Sequence, residues 1–204
     1  MKIMAIGAEK GGVGKSTTTL YLAARAAERL GSNAAHPTVA IVDRDRDQHL
    51  SGLWRRRSDV RRDSIILMPD TALPRPESGI ELVLIDTPPG AQALATLAEA
   101  QMVVVPCPPT EMAVESLATY LGRVRTIIRR TTPHMRLVAV LPTIVKKSRL
   151  HQAHLLNIAD IAAAHTPPLL LLPTIPDRTS VQVPDLSSHE YDAAAEELFD
   201  NGAL

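Results

Sequence analysis

The most informative segment of this chain is Glu9-Lys10-Gly11-Gly12-Val13-Gly14-Lys15-Ser16-Thr17. It follows an apolar run at residues 2–8 and precedes a helical pattern at residues 16–30. Glycines let a backbone curl around an anion so that several N–H groups converge on it, and the N-terminus of the next helix adds its positive dipole end. The stretch therefore predicts a phosphate-binding loop between a strand and a helix.

The side chains of this loop suit a nucleoside triphosphate. Lys15 is placed to reach the terminal phosphates, and the Ser16 hydroxyl is a ligand for magnesium. The common pattern, G-x-x-x-x-G-K-[ST], has glycine where this chain has Glu9, and a second lysine, Lys10, stands at the entrance of the loop. The predicted nucleotide-binding residues of the loop are Lys10, Gly11, Gly12, Val13, Gly14, Lys15, Ser16 and Thr17.

Strand-like and helix-like segments alternate along the chain. The strand candidates are residues 2–8, 38–43, 65–68, 82–86, 102–106, 137–141 and 169–172. The helix candidates are residues 16–30, 48–57, 91–100, 111–130, 149–164 and 187–201. Several strand candidates are apolar throughout, which is typical of a parallel sheet covered on both faces. The pattern predicts one domain over residues 1–204, with a doubly wound, mostly parallel α/β sheet that has helices on both faces.

The composition excludes several classes of protein. A single cysteine, Cys107, excludes an internal disulfide framework and is typical of a reducing compartment. The longest apolar runs have the length of a strand, so the sequence predicts no membrane span. We expect a cytoplasmic protein.

Two acidic segments follow strand candidates, at the edge where parallel sheets bind ligands. Asp86 ends the apolar run at residues 82–85, and Asp43 and Asp45 follow the second strand candidate. An acid in such a place suits the hydration shell of Mg²⁺, although Asp is also a common helix cap and the charges at residues 43–48 also suit a solvated loop. Beside the phosphate loop, we favour a metal site.

The loop resembles the deviant Walker A motif of the family that includes ParA, MinD and the nitrogenase iron protein. In that family the additional lysine, Lys10 here, reaches across a dimer interface to the partner's ATP. The resemblance implies an ATP hydrolase that binds ATP and Mg²⁺ and forms a homodimer with two nucleotides between its subunits. Residues 82–90 resemble the family's Walker B segment, which implies a metal role for Asp86 and places Gly90 near the γ-phosphate.

Residues 43–48 resemble the family's D-x-D-P-Q switch segment. By this resemblance, Asp43 helps to hold magnesium, and Asp45 orients or deprotonates the attacking water and acts with Lys10 and Lys15 in catalysis. The chain departs from the motif because Arg46-Asp47 stands where a single proline is usual, so Asp47 is an alternative catalytic acid. Residues 141–143 and 174–178 resemble the family's base-binding segments, which implies that Pro176 and Asp177 contact the base.

The net charge is zero, but the charges are segregated along the chain. Residues 116–159 contain no Asp or Glu, whereas seven acidic residues occur from residue 177 onward. ParA-like dimers with bound ATP hold DNA without sequence preference, so we expect the acid-free stretch to contact DNA phosphates; the alternative is a set of solvated cations with no common face. The candidates are Arg123, Arg125, Arg129, Arg130, Lys146, Lys147 and Arg149.

The end of the chain separates the members of this family. MinD-like proteins end in a basic membrane helix, whereas residues 189–204 are acidic, and a single cysteine does not supply the two cluster ligands of the nitrogenase iron protein. The resemblance therefore implies a short ParA-type partition ATPase without an N-terminal helix-turn-helix. It would be nucleoid-associated and would act with a ParB-like or other cargo-binding adaptor, and not at a membrane. The alternatives are a nucleotide-gated scaffold in conjugative DNA transfer and an ATPase that positions a protein assembly.

Overall fold

Parallel strands form the centre of the computed structural model, which describes residues 1–55, 64–69, 72–131, 137–178, 186 and 188–204. The strands are β1 (Lys2–Ile6), β2 (Val39–Asp43), β3 (Ile65–Met68), β4 (Leu82–Asp86), β5 (Met102–Cys107), β6 (Leu137–Pro142) and β7 (Leu170–Leu171). Over the described residues they form one sheet in the order β3-β2-β4-β1-β5-β6-β7, with every pair of neighbours parallel. This confirms the predicted α/β fold with a parallel sheet.

Helices cover both faces of the sheet. They are α1 (Lys15–Arg29), α2 (His49–Arg55), α3 (Ala93–Leu97), α4 (Glu111–Thr131), α5 (Arg149–Ala163) and α6 (Asp192–Leu198), and a π-helical turn at Phe199–Ala203 follows α6. Buried side chains of α1, α2 and α6 form one hydrophobic layer with the sheet. Those of α3, α4 and α5 form a second layer on the other face. Helices on both faces, as predicted, leave the strand ends as the open edges of the fold.

Two helices are shorter than the sequence pattern predicts. Residues 91–100 contain a 3₁₀ turn at Gly90–Gln92 and then α3, and i→i−3 hydrogen bonds continue from Ala98 to Ala100. The predicted helix at residues 187–201 begins at Asp192 in the structure, and residue 187 lies outside the described residues. Arg25 donates hydrogen bonds to the carbonyls of Leu186 and Ser188, at 2.8 and 2.7 Å. A side chain of α1 therefore holds the segment that precedes α6.

The register of three neighbouring strands brings the predicted motifs to one edge. On β4, Asp86 stands in register with Ile6 at the end of β1 and with Asp43 at the end of β2. All three strands run in the same direction, so the loops that follow them lie side by side. The phosphate loop, the segment after Asp43 and the segment after Asp86 consequently meet at the carboxyl edge of the sheet, where α/β folds bind ligands.

Candidate functional site

The phosphate loop joins β1 to α1. Its last residue, Gly14, has φ of 96°, a left-handed conformation that favours glycine, and it caps α1 without a side chain. The helix hydrogen bonds begin from its carbonyl, which accepts from the N–H of Thr18 at 2.8 Å. On the other side of the loop, the Thr143 hydroxyl donates to the carbonyl of Val13 at 2.8 Å. The first N–H groups of α1 therefore remain available to an anion in front of the loop.

A cavity of about 430 Å³ lies directly in front of this loop. Its volume falls within the range of small-molecule sites in proteins. The loop residues that line it are Gly11, Gly12, Gly14, Lys15, Ser16 and Thr17. Backbone N–H groups, a lysine and two hydroxyls thus face the cavity, and this is a surface that suits phosphate groups.

Ser16 and Asp86 join the loop to the end of β4. The Ser16 hydroxyl donates a hydrogen bond of 2.6 Å to Oδ2 of Asp86. The other carboxylate oxygen, Oδ1, is buried and has no hydrogen-bond partner among the described residues. A hydroxyl and a carboxylate with one unused oxygen are hard oxygen donors of the kind that Mg²⁺ prefers. The two residues therefore fit the metal role that the sequence predicts for them.

Burial sets the protonation of the charged groups at this site. It raises the pKa of Asp86 to about 7, against the opposing effect of the Ser16 hydrogen bond, and the nearby Asp43 raises it further. Burial also lowers the pKa of Lys15, whose side chain is 6% exposed, whereas the charges of Asp86 and Asp45 oppose that shift. A bound cation would favour the ionised form of Asp86, and a bound phosphate would favour the charged form of Lys15.

Asp43 organises the segment after β2. Its Oδ2 accepts a hydrogen bond of 2.8 Å from the N–H of Ser51, and its Oδ1 accepts one of 3.2 Å from the N–H of Asp45. The carboxylate thus ties the segment to the first turn of α2. Asp43 is also in register with Asp86 on the neighbouring strand. Its role at the metal remains a prediction.

The additional residue of this segment lies in a tight turn. The Gln48 N–H donates to the carbonyl of Asp45 at 2.9 Å, and Gln48 has a φ of 48°. The Asp47 N–H donates to Oδ1 of Asp45 at 3.2 Å. Asp45, Asp47 and His49 all line the cavity. Both candidate acids are therefore close to the phosphate loop, and His49 is a lining residue that the sequence analysis did not identify.

Five of the predicted nucleotide contacts do not line the cavity: Lys10, Val13, Gly90, Pro176 and Asp177. Lys10 lies against α4, on the other side of the loop, where it lines a small hollow with Glu9 and Tyr120. The Gly90 N–H donates to the carbonyl of Ala8 at 3.0 Å, and its neighbour Pro89 lines the cavity in its place. Pro176 and Asp177 also lie outside the lining; Asp177 places its carboxylate 3.5 Å from the ammonium group of Lys146.

The cavity is also lined by Thr143, Ile144, Ile175 and Tyr191. Thr143 and Ile175 belong to the segments that resemble the family's base-binding segments, whereas sequence reasoning did not assign Ile144 or Tyr191 to the nucleotide. Tyr191 stacks on Tyr21 with ring centroids 4.5 Å apart, and its hydroxyl lies 3.1 Å from that of Thr18. Thr143 follows a strand candidate at the same edge as the loop, and this position is a usable signal. No pattern in the acidic tail indicates that Tyr191 reaches the site.

The basic residues predicted to bind DNA do not form one continuous surface in the described residues. Arg123 is paired with Glu9 and Lys146 faces Asp177. Lys147 and Arg149 are exposed at the beginning of α5. Arg125 is an exposed residue of α4 that lies near the other end of α5, because burial and the charge of Arg125 together lower the pKa of His165, which follows α5. A helix of the length of α5 spans about 22 Å, so two groups of cations are separated by this distance. The side chains of Arg129 and Arg130 lie outside the described residues.

No helix in the described ranges is long and apolar enough to cross a membrane.

Comparison with known proteins agrees with this geometry. The family model of the CobQ/CobB/MinD/ParA nucleotide-binding domain matches residues 4–188. No curated protein sequence matches the chain at a significant level. Among solved structures, apo McdA from Cyanothece has a TM-score of 0.74 at 17% identity and covers 98% of this chain and 99% of its own.

Two further structures have similar folds. A plasmid partition protein from Borrelia burgdorferi has a TM-score of 0.68 at 18% identity, with 98% of each chain covered. Cobyrinic acid a,c-diamide synthase from Mycobacterium smegmatis, solved with ADP and magnesium, has a TM-score of 0.69 at 21% identity and covers 96% of this chain and 91% of its own. At such identities, the structural similarity establishes the fold alone.

Proposed function

Because the chain belongs to the CobQ/CobB/MinD/ParA family of nucleotide-binding domains, we propose that it is an Mg²⁺-dependent ATP hydrolase that works as a dimerising switch. The observation that carries this proposal is the hydrogen bond of 2.6 Å between Ser16, which lines the cavity, and the buried Asp86, with the buried Lys15 nearby. A hydroxyl, a carboxylate and a lysine converge there on the N-terminus of α1. This is the set of groups that phosphoryl transfer requires for positioning phosphates and their metal.

Each of these groups has a defined task in the reaction ATP + H₂O → ADP + phosphate. The loop N–H groups and Lys15 hold the β- and γ-phosphates, and Ser16 and Asp86 would hold the magnesium that accompanies ATP. That ion would neutralise part of the phosphate charge. Asp45 accepts a hydrogen bond from the attacking water and orients it in line with the γ-phosphate. Since positioning and charge supply most of this catalysis, we expect slow intrinsic turnover that a partner stimulates.

We place the second lysine, Lys10, in the partner's site. Its side chain does not line the cavity of its own subunit, and within the described residues its ammonium group forms no ion pair. A homodimer with two ATP molecules at its interface gives this lysine a phosphate to contact. ATP binding then favours the dimer, and hydrolysis favours its separation.

The proposed cargo of the switch is DNA. The ATP-bound dimer would hold nucleoid DNA without sequence preference through exposed cations such as Lys147, Arg149 and Arg125. A ParB-like or other cargo-binding adaptor would stimulate hydrolysis and release the dimer. Two subunits related by a twofold axis would present both groups of cations twice, so the separation along α5 is compatible with a long, shallow DNA contact.

Retention on DNA tests this function. The purified full chain is applied to immobilised duplex DNA of random sequence with ATP, with ADP and without nucleotide, each at low and moderate salt, and phosphate release is measured on the same samples. We expect retention with ATP alone, and its loss as salt rises. Variants that remove Lys147 and Arg149 together should lose retention while keeping ATP turnover.

The other outcomes separate the alternatives. Turnover without retention under any condition would contradict the DNA function and would favour an ATPase that positions a protein assembly. Retention with ATP in the absence of any turnover would favour the nucleotide-gated scaffold. A chain that neither retains DNA nor releases phosphate would contradict the proposal as a whole.

A further inference from the structure

An ion pair at the entrance of the phosphate loop joins two residues that are 114 positions apart in sequence. One nitrogen of Arg123, Nη1, lies 2.7 and 2.8 Å from the two carboxylate oxygens of Glu9. Glu9 stands immediately before Lys10, where the common phosphate-loop pattern has glycine. Arg123 belongs to the fourth turn of α4, so the pair connects the loop to a helix on the sheet face.

The ion pair keeps the negative charge of Glu9 outside the cavity in which ATP would bind. A carboxylate beside a phosphate site repels the anion that the loop must bind. In this structure Glu9 does not line the cavity; it lies with Lys10 and Tyr120 in the hollow against α4. Arg123 neutralises the acid and holds it on that side of the loop. The arrangement therefore keeps the charge of this one acid away from the cavity.

The same contact lies between the closely packed end of the strand and the exposed tip of the loop. Close packing fixes the strand end, because a Cβ atom at Gly7 would collide with the hydroxyl of Tyr120. The backbone of Ala8 is held by the N–H of Gly90. Beyond Glu9, by contrast, Gly11 and Gly12 are exposed and have open space around them. The direction in which Lys10 leaves the loop consequently depends on how Glu9 is held.

We propose that Arg123 is a positioning residue for ATP hydrolysis, which acts through Glu9 to direct Lys10 towards the partner's nucleotide. This inference rests on the proposed function, because it requires Lys10 to act in an ATP-bound dimer. It also assigns Arg123 a task other than DNA contact, since its guanidinium is engaged with the loop. The ion pair is partly exposed, with 26% of the Glu9 side chain and 42% of the Arg123 side chain accessible, so it contributes little to folding.

The experiment compares turnover, ATP affinity and unfolding temperature in the full chain and its Arg123→Gln, Glu9→Gln and doubly substituted variants. Each single change should lower kcat about tenfold, because small displacements of a reacting group are costly. The Kd for ATP should stay within about twofold, since Lys15 and Ser16 are untouched. The double variant should be no slower than the single ones, because both changes break the same contact.

Two matched variants identify the cause. Arg29→Gln removes an ion pair of the same 2.7 Å length, between Arg29 and Asp200 at the other end of α1, and should keep normal turnover. Arg123→Lys should recover most of the kcat, because one nitrogen makes both contacts in this structure. Normal turnover in Arg123→Gln would overturn the positioning role. Equal losses of turnover and thermal stability in Arg123→Gln, Glu9→Gln and Arg29→Gln would also overturn it. A wild-type chain with no ATP turnover would instead refute the proposed function, and this inference with it.

Discussion

The Ser16 hydroxyl donates a hydrogen bond to Asp86 across a sequence separation of 70 residues, and thereby links the first turn of α1 to the end of β4. A phosphate loop and an acid from a neighbouring strand are thus in direct contact beside the cavity. The two residues would hold the metal that accompanies a bound phosphate, and Lys15 is the lysine that lines the cavity.

Removing that cation tests the site. Lys15→Ala should weaken ATP binding roughly 100-fold, the magnitude expected when a buried charged group loses its partner. The measurement is a titration with a fluorescent ATP analogue in the presence of Mg²⁺. Lys2→Ala, at the beginning of β1, serves as the control and should bind normally. Tight binding by Lys15→Ala would contradict the assignment of the phosphate loop.

Substitutions of two acids decide the register of the segment after β2. Asp45→Ala should lower turnover by about 10²-fold or more, the usual contribution of a general base, and should leave ATP binding and dimer formation intact. Asp47→Ala should have a smaller effect, because Asp47 is 77% exposed and its N–H is used to hold Asp45. The readout is single-turnover hydrolysis of bound ATP. A larger loss in Asp47→Ala would move the catalytic acid by two residues.

Complementation tests whether Lys10 acts in the partner's site. Lys10→Ala alone should bind ATP but hydrolyse it poorly, by a factor on the order of 10² or more, as expected when a charge supplied by the partner is lost. Mixing it with the inactive Asp45→Ala should restore turnover, since each mixed dimer contains one site with Asp45 and a lysine from the other subunit. If the mixture remains as inactive as its components, Lys10 does not act across the interface.

The pH dependence of stability follows from the buried acid. The pKa of Asp86 rises from 3.8 to about 7 in the fold, chiefly through burial, so between these values the folded protein binds more protons than the unfolded chain. Stability without nucleotide should therefore fall as pH rises from about 4 to about 7, and stay low above it. Asp86→Asn should remove this loss and stabilise the protein at pH 8 by on the order of 2–4 kcal/mol.

Urea unfolding of the metal-free, nucleotide-free protein would check this prediction at about pH 5.5 and about pH 8, which lie on either side of the raised pKa of Asp86. Asp160→Asn, an exposed acid on α5, is the matched control and should leave the pH dependence unchanged. A wild-type stability that rises between these two pH values would contradict the origin assigned to the shift.

Much of the fold could be predicted from local sequence. The strands Ile65–Met68 and Leu82–Asp86 have the predicted ends, because each is a short apolar run between loop-forming residues. The helix α1 ends near the predicted glycine, with Gly31 at a φ of 64°. These features depend on interactions between near neighbours, and sequence patterns record such interactions directly.

The parts that escaped prediction depend on distant contacts. Arg25 donates hydrogen bonds to the carbonyls of Leu186 and Ser188, which precede the beginning of α6 at Asp192. Tyr191 reaches the cavity because it stacks on Tyr21, far away in sequence. The sequence indicates that Arg123 is one of several surface cations, whereas in the structure it forms an ion pair with Glu9. In each case the partner is more than 100 residues away, and no pattern within either segment identifies it.

The dimerising switch is tested by the oligomeric mass of the full chain in solution, with ATP and Mg²⁺, with ADP and Mg²⁺ and without nucleotide. Light scattering during size exclusion gives the mass, and Asp45→Ala is included because slow hydrolysis should preserve the ATP-bound form. We expect a dimer with ATP and a monomer in the other two conditions, with the dimer most complete in Asp45→Ala. A mass that is the same in all three conditions, in both the wild type and Asp45→Ala, would contradict the proposal that ATP operates a dimerising switch.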